Sequence, residues 1–566
     1  MKRIILLLVV LFTFLNAQAT HIMGGEITWV CIKDPANLDF GKYIFKIKVY
    51  YDCDGAASGS TSSQLIDIWD GGSSPLSTIT LDWVSSTDIS PSGNTVNSGN
   101  ACLDCNTNPL GAVEEYIYES LPVVLLGTPP ASGWYFTWDS CCRNGATTNL
   151  VLTGGTSPSE GFTLRASMFP YTDASGNILP ADPCYDNSPK FNESPKTIIC
   201  IGYPFSYTPN ASDVELDSLS YAWDQPLDDI AFGAYNPNAI PPNPPPIQFV
   251  APYIFNSPLP GGVILDIQTG EINYTSNIAG NFASVIRVDA FKCGQKIASI
   301  YREIQSVLIS CPVLPNGTTN LPPSITPPFP GGSFSTTVSA GDVVTFNITA
   351  IDNDLYANGS FQDVTFEITG GQMADDFVTN TLCDNPPCAT FTNSAGIVPP
   401  ITGIQIVDGF FSWETACSHV SSDVGCGNIS NLYTFAIKAF DDFCPANAIT
   451  IATITVEVTA TDSLLAPDFK CVWNDGAGNI NFDWDHQFGS NSSTIYHILG
   501  ATNIGGPYFP VTSVNFPNIS QSLLESSIPA GTKFFYMTNE STCAENSFPS
   551  DTISPISFSV SSTDVN

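Results

Sequence analysis

The chain has 566 residues, with 53 Asp and Glu against 17 Lys and Arg, which gives a formal net charge of −36. A field of that sign repels nucleic acid and anionic membrane surfaces, so we exclude nucleic acid as a partner. A hydrophobic share of 43% and an aromatic share of 11% exclude a disordered chain, because disorder requires low hydrophobicity. The length is sufficient for several domains.

The first 19 residues have the pattern of a secretory signal peptide. Lys2 and Arg3 precede an apolar run over 4–15, and residues 17–19 then supply an A-x-A cleavage site. The run is too short to act as a stable membrane anchor. No second long apolar segment follows it. We therefore predict that the chain is exported, acts outside the cell or on its outer surface, and keeps no transmembrane segment after cleavage.

Alternation of apolar and polar residues with period two recurs along the exported part, whereas amphipathic helix patterns are scarce. The alternation is clear over 43–51, 344–350, 433–439 and 454–458. It predicts strands with one buried face. The 44 Pro and 43 Gly lie mostly between such stretches, as turns. We therefore predict an all-β fold that consists of tandem β-sandwich modules in an elongated array.

Pro-rich stretches and changes of pattern predict where the modules begin and end. The predicted divisions are a signal peptide at 1–19, a β-sandwich at 20–190, a second at 191–312, a Pro-rich linker at 313–332, a third sandwich at 333–461 and a fourth module at 464–560. The second and third modules are similar to each other, since 211–215 (ASDVE) matches 350–354 (AIDND). Two copies of one plan favour an array of modules over a single compact enzyme.

The fourth module differs from the others. Residues 478–484 predict an early strand with Trp484 in the core, and the stretches 494–498 and 533–536 follow it. This order resembles a fibronectin type III module. Residues 562–566 end the chain where another module would begin, so we expect the sequence to be a piece of a longer protein.

Five motifs in the first half of the chain carry a family resemblance: HIMGGEITW at 21–29, GKYIF at 41–45, VYYDCDG at 49–55, DSCCRN at 139–144 and NSPKFNESP at 187–195. Together they resemble the N-terminal region of large secreted proteins of Bacteroidetes bacteria, known as PKD-domain or gliding motility-associated surface proteins. The resemblance covers about 20–312. Beyond it, the third module is similar to Ig-like or cadherin-like modules.

This resemblance implies a secreted protein of the cell surface with a role in adhesion and a link to gliding motility. Such relatives usually carry a C-terminal sorting domain for type IX secretion, and no such ending is present in this sequence. The resemblance implies no catalytic chemistry.

Repeated acidic loops are the strongest candidates for ligand binding. Carboxylates two positions apart on an extended loop can converge on one hard cation, which requires several oxygen ligands. The candidate calcium ligands are Asp213, Glu215, Asp217 and Asp289 in the second module, and Asp352, Asp354, Asp441 and Asp442 in the third. A weaker candidate is Asp52 with Asp54. The alternative is that these residues only form turns, and their repeated placement favours calcium, which would stiffen the array.

The 17 cysteines all follow the signal peptide, and cysteines outside the cytosol usually pair. Their odd number leaves at least one free or paired between molecules. Candidate disulfide partners are Cys383 with Cys388, Cys417 with Cys426, Cys471 with Cys543, and Cys200 with Cys293 or Cys311. Cys102 and Cys105 form a C-x-x-C motif, and no second C-x-x-C is present to complete a zinc site. This pattern favours a structural role for the two cysteines. The adjacent Cys141 and Cys142 are expected to form disulfides with different cysteines and not with each other.

Catalytic motifs are absent from the sequence. The four histidines (His21, His419, His486 and His497) are scattered, and no HExxH, G-x-S-x-G, P-loop or dinucleotide fingerprint is present. We predict no enzymatic activity and no organic cofactor. The aromatic run with Trp134, Tyr135, Phe136 and Trp138 fits a core strand or a glycan-binding patch, and its alternation favours the core.

Three hypotheses of function follow. The first is a structural and adhesive protein that binds surface glycans, proteins or further copies of itself by multivalent contact. The second is an array of carbohydrate-binding modules from a larger polysaccharide-degrading protein. The third is a secreted hydrolase whose first module is catalytic.

Overall fold

The structure is a computed structural model. It describes residues 22–54, 61–109, 111–140, 143–152, 161–173, 175–179, 184–195, 198–230, 235–239, 242–314, 317–420, 430–460, 465–486, 494–541 and 549–555. The predicted signal peptide and Cys141, Cys142, Cys426 and Cys543 lie outside these ranges. The chain is all-β, as the alternation predicts. No helix in the described ranges has the length and apolarity that crossing a membrane requires.

The elements up to residue 309 are β1 (Ile22–Cys31), β2 (Tyr43–Asp52), β3 (Gln64–Trp69), β4 (Ser77–Asp88), α1 (Thr95–Ser98), β5 (Val113–Ser120), β6 (Trp134–Ser140), β7 (Phe162–Met168), β8 (Lys190–Phe191), β9 (Ile198–Cys200), β10 (Pro204–Tyr207), β11 (Ala211–Ser212), β12 (Ser218–Asp224), β13 (Ile264–Leu265), β14 (Ile272–Thr275), β15 (Gly280–Lys292) and β16 (Gln295–Ile309).

The later elements are β17 (Ser324–Ile325), β18 (Ser335–Ser339), β19 (Val343–Ile351), β20 (Asp363–Thr369), β21 (Thr390–Thr392), β22 (Ile401–Ile404), β23 (Ile406–Glu414), a 3-10 turn (Cys417–His419), β24 (Ser430–Asp441), β25 (Ile449–Thr459), β26 (Asp468–Asn474), β27 (Asn479–Asp485), β28 (Thr494–Ala501), β29 (Phe509–Asn515), β30 (Ser520–Leu524), a second 3-10 turn (Glu525–Ser527) and β31 (Phe534–Ser541).

One eleven-stranded sheet contains most of the long strands in the first half of the chain. Its order is β1-β2-β5-β4-β3-β6-β7-β16-β15-β12, with β9 beside β16. Strand β16 also pairs with β1, so the sheet closes on itself. This closure requires Gly24, because a Cβ at that position would overlap the carbonyl oxygen of Glu303.

The sheet runs across the boundary that the sequence predicts at residue 190. Strand β7 precedes that boundary and β16 follows it, and the two pair from Met168–Ala298 to Ala166–Ile300. The alternation within each strand identifies a buried face but does not identify the neighbouring strand. Buried residues on both sides of the boundary, from β1 to β16, therefore belong to one core, and two smaller clusters lie beside it.

The third module is a two-layer sandwich. Its sheets have the orders β17-β19-β23-β21 and β18-β25-β24-β20-β22. Phe411 and Trp413 on one sheet pack against Phe435 on the other, with ring centroids 4.9 and 5.6 Å apart. Described residues of the predicted linker at 313–332 take part in this packing, since Leu314 and Asn320 are buried and β17 pairs with β19.

The fourth module contains two three-stranded sheets, β26-β27-β30 and β29-β28-β31. Trp484 is 1% exposed and lies in the core between them, as the sequence predicts.

A close contact joins the first core to the third module. Ala436, Ala446, Ala448 and Ile451 belong to the same buried cluster as the eleven-stranded sheet. A disulfide between Cys102 and Cys444 crosses this contact.

Candidate functional site

The acidic loop at 213–217 lies between β11 and β12. Asp213 Oδ1 accepts hydrogen bonds from the backbone N of Glu215 (2.9 Å) and of Asp217 (3.3 Å). One oxygen of Asp213 therefore forms the turn that the alternative interpretation expects. The other oxygen is buried and has no donor in the part of the chain that the structure describes.

Asp186 lies close to this loop, although the sequence analysis did not identify it. Its segment is fixed to β1 by the disulfide between Cys31 and Cys184. Trp29 Nε1 also donates to the carbonyl oxygen of Asp186 (3.1 Å), and Trp29 N donates to Ser188 Oγ (2.9 Å). Asp186 is 1% exposed, and among the described residues neither of its carboxylate oxygens has a donor. The only local signal for it is its position beside Cys184.

Two lysines neutralise part of this acidic group. Lys33 pairs with Glu215 Oε1, which also accepts from Asn187 Nδ2 at 2.6 Å. Lys292 Nζ lies 3.8 Å from Asp217 Oδ1. Within the described residues, two ammonium groups therefore pair with two of the four carboxylates.

Burial and mutual repulsion act on the carboxyl groups of this cluster. Burial raises the pKa of Asp186 well above its usual range, and the nearby charges of Glu215, Asp213 and Asp217 raise it further. The pKa of Asp213 is raised for the same reasons, with burial as the largest cause. The charged forms therefore lack the stabilisation that buried carboxylates usually receive.

Asp289, a candidate ligand from the sequence, has its oxygens engaged elsewhere. Its Oδ1 accepts from Ser299 Oγ (2.5 Å), and its Oδ2 accepts from Arg287 Nε (3.0 Å). Lys296 Nζ lies 3.7 Å from Oδ1. We therefore remove Asp289 from the candidate set, because two cations already balance its charge.

The equivalent candidates in the third module are Asp352, Asp354, Asp441 and Asp442, and most of their carboxylate oxygens discussed below accept hydrogen bonds from backbone or side-chain groups. Both oxygens of Asp441 are used, Oδ1 by the backbone N of Phe443 (3.1 Å) and Ala448 (3.0 Å), and Oδ2 by Asn320 Nδ2 (2.6 Å). This residue therefore serves as the centre of a turn rather than as a free ligand.

Asp352 repeats the geometry of Asp213. Its Oδ1 accepts from the backbone N of Asp354 (2.8 Å), and its Oδ2 is buried without a donor among the described residues. Burial raises the pKa of Asp352 to about 6. The two other candidate carboxylates each accept a hydrogen bond. Asp354 Oδ2 accepts from the backbone N of Leu321 (2.7 Å), and Asp442 Oδ1 accepts from Tyr356 OH (2.5 Å).

Asp52 Oδ1 accepts from the backbone N of Asp54 (3.0 Å), which is a turn contact. Across the described ranges, no three His, Cys, Asp or Glu side chains already stand in an arrangement that could hold a metal ion.

Disulfides connect distant parts of the chain. The pairs formed within the described residues are Cys31–Cys184, Cys53–Cys105, Cys102–Cys444, Cys200–Cys311 and Cys383–Cys388. Cys102 and Cys105 thus bond to different partners, which agrees with a structural role. Cys293 and Cys417 are also disulfide-bonded. Cys471 is a free thiol in the described part, and Cys543, its predicted partner, lies outside it.

The aromatic strand β6 has two different faces. Trp134, Phe136 and Trp138 are buried in the first core, as the alternation favours. Tyr135 points to the opposite face and packs on Tyr235 with ring centroids 5.3 Å apart. These two rings belong to a cavity of about 320 Å³ that Arg165, Asp224 and Tyr301 also line.

His497 on β28 connects two polar side chains. Its Nδ1 lies 2.8 Å from Ser513 Oγ, and its Nε2 lies 3.0 Å from Glu540 Oε1. This order of groups is the one that a nucleophilic serine requires. The side chains of His497 and Glu540 are 28% and 39% exposed on an open sheet face, whereas transition-state stabilisation requires a water-excluded site.

No protein-family model and no curated protein matches the chain. Among solved structures, it is similar to domains A168–A170 of titin, with 12% identity over 65% of this chain and 99% of that chain and a TM-score of 0.16. It is also similar to the FN1–FN3 domains of chicken CNTN1 (12% identity, 65% and 97%, TM-score 0.14) and to the BSP domain of a biofilm associated protein (10% identity, 95% and 96%, TM-score 0.13). Scores this low carry no argument, so the fold assignment rests on the sheets described above.

Proposed function

We propose that the chain is an exported structural or adhesive protein of the cell surface, which holds its partners rather than converting them. The observation that carries this proposal is the covalent tie from Cys102 to Cys444 across the contact between the first core and the third module. Disulfides persist in oxidising compartments and not in the cytosol, which supports a location outside the cell.

The polar contacts beside this tie support the same proposal. Lys438 is buried between Glu193 and Glu367, and its Nζ lies 3.2 Å from Glu193 Oε1. Asn210 Nδ2 donates to the carbonyl oxygen of Thr369 (2.9 Å), and Thr434 Oγ1 donates to Asn210 Oδ1 (2.8 Å). A contact with paired charges and directed hydrogen bonds fixes two modules in one orientation. A protein that transmits load between a surface and a partner requires such a contact.

The partners that we propose are surface glycans, surface proteins or further copies of this chain. The resemblance of residues 20–312 to gliding motility-associated surface proteins supports a link to gliding and to type IX secretion.

Attachment under flow tests the proposal. Beads coated with the oxidised wild type should bind glycan-coated surfaces, cells or each other. The C102S/C444S variant should bind at rest but detach at lower shear, because its modules can separate under load. The C383S/C388S variant is the control, since that disulfide closes a loop within one module. Turnover of a polysaccharide or ester without any attachment would contradict the proposal.

Glycan binding is the second candidate, and the cavity beside Tyr135 and Tyr235 favours it. Binding cavities combine aromatic faces with a few polar groups, as this cavity does with Arg165 and Asp224. Y135L should abolish glycan-array signals, whereas Y508L, in the fourth module, should not. Unchanged signals in Y135L would exclude this cavity as the site.

A further inference from the structure

We propose that Asp186, Asp213 and Glu215 form a binding site for one calcium ion, with Asp217 at its rim. This inference is independent of the proposed adhesive function. It replaces Asp289 of the sequence-predicted set with Asp186, which comes from a different segment of the chain.

Several buried oxygen atoms of this cluster lack hydrogen-bond donors. Among the described residues they include both carboxylate oxygens of Asp186, Oδ2 of Asp213, Oε2 of Glu215 and the hydroxyl of Tyr185. Tyr185 interacts electrostatically with Asp186, which in turn interacts with Glu215 and Asp213. Native proteins leave few buried polar groups unpaired, so several in one place indicate an additional ligand.

The charge of the cluster also favours a cation. Among the described residues, Lys33 and Lys292 pair with two of the four carboxylates. A divalent cation carries the charge that would neutralise the remaining two. Carboxylates buried without such compensation destabilise the folded chain, because nothing offsets the loss of their hydration.

The chemistry of the donor atoms favours calcium. The available atoms are carboxylate and hydroxyl oxygens, which suit a hard cation and not zinc or copper. Calcium accepts six to eight oxygens in flexible geometry, whereas Mg²⁺ requires a near-ideal octahedron. Because the described side chains do not already stand in a metal-holding arrangement, the proposal includes rotation of the Asp213 and Glu215 side chains towards Asp186.

The alternative is that the cluster retains protons instead of an ion. Two features oppose it. A proton on Asp186 would neutralise that carboxyl group alone, and the buried Oδ2 of Asp213 would still have no donor among the described residues. The segment of Asp186 is also fixed by a disulfide and by β1, as expected for a preorganised ligand.

The location gives the ion a role at the contact between modules. Asn385 Nδ2 in the third module donates to the carbonyl oxygen of Val214 (3.1 Å), and Ser212 Oγ donates to Asp384 Oδ2 (2.9 Å). A cavity of about 470 Å³ beside this contact is lined by Asp213, Asp217 and Asp384. Calcium that orders the 213–217 loop would therefore also order the surface on which the third module packs.

Titration of the full chain, first stripped of metal with EDTA, tests the site. Calcium chloride is added in a calorimeter, and Tb³⁺ is added separately as a luminescent substitute that Tyr185 and Trp29 can sensitise. We expect one ion bound per chain, with sensitised Tb³⁺ emission that calcium displaces. D186N and D213N should each weaken calcium binding at least tenfold.

The control is D475N, because Asp475 forms a similar turn with the backbone N of Ala477 and of Asn479 on an exposed loop. Its calcium affinity should equal that of the wild type. Circular dichroism checks that each variant is folded. If D186N or D213N does not fold, the calcium affinity of E215Q is measured in its place. The proposal is overturned if the wild type binds no calcium up to about 10 mM, above the range of extracellular calcium modules, or if folded D186N or E215Q binds as tightly as the wild type.

Discussion

Cys102 and Cys444 are bonded to each other although 342 positions separate them along the chain. Cys102 belongs to a loop of the first core, and Cys444 lies three positions after Asp441, the last residue of β24 in the third module. The bond therefore restricts the unfolded chain over more than half of its length. It also fixes the contact at which the two cores meet.

Loss of this disulfide should destabilise the chain more than loss of a short one. We expect C102S/C444S to lower the free energy of unfolding by about 2–4 kcal/mol, because the entropy that a disulfide removes from the unfolded state grows with loop length. Urea denaturation measures the change. C383S/C388S, whose cysteines are 5 positions apart, should lose less. Equal losses in the two variants would show that the long tie does not restrict the unfolded state.

Replacement of Lys438 should weaken the contact between the modules. K438M leaves Glu193 buried without its cation, and removal of one partner of a buried pair costs about 3–5 kcal/mol. The melting temperature and limited proteolysis near residue 438 report this loss. K470M is the control, since Lys470 pairs with Asp485 on the exposed surface of the fourth module, and it should melt like the wild type.

Acid should destabilise the third module through His419. Burial lowers the pKa of His419 below its usual value, while the unfolded residue titrates near about 6.5. The unfolded state therefore binds more protons between these two values, so stability is complete above about pH 6.5 and falls as the pH decreases towards the folded pKa. Its Nδ1 accepts from the backbone N of Ala416 (2.8 Å), which a proton on Nδ1 would disrupt.

Melting curves of the wild type and H419Q between about pH 7.5 and 5 measure this effect. The carboxylates contribute equally to both proteins, so the difference between the two curves isolates His419. The wild type should lose more stability than H419Q below about pH 6.5. Parallel curves would contradict the assignment.

A methyl group at Gly409 should destabilise the third module. A Cβ there would overlap the ring of Phe391, which is 0% exposed, and overpacking of a core costs about 1–3 kcal/mol. G409A should therefore lower the melting temperature. G505A is the control, since a Cβ at Gly505 meets no heavy atom within 4 Å. A G409A variant as stable as G505A would show that Phe391 can move without cost.

The strands were predictable because alternation is a local property. The stretch 433–439 lies within β24 (Ser430–Asp441), and 43–51 lies within β2 (Tyr43–Asp52). Trp484 was predicted in the core for the same reason. A strand in which apolar and polar residues alternate has one apolar face, which is buried in whichever sheet the strand joins.

The partners of these strands were not predictable in the same way. Strand β16 pairs with β1, β7, β9 and β15, and no local pattern distinguishes these neighbours. The pairing of β7 with β16 across residue 190 and of β17 with β19 is therefore a property that no local pattern predicts.

The sequence by itself determined the strand content, the buried face of each strand and the acidic turn at Asp213, because each depends on residues within a few positions of one another. Only the tertiary structure decided that Asp186, 27 positions earlier, lies close to that turn. It also decided that Asp289 forms ion pairs with Arg287 and Lys296. The reason is that charge compensation inside a protein depends on distance in space, which the closed sheet and its disulfides set.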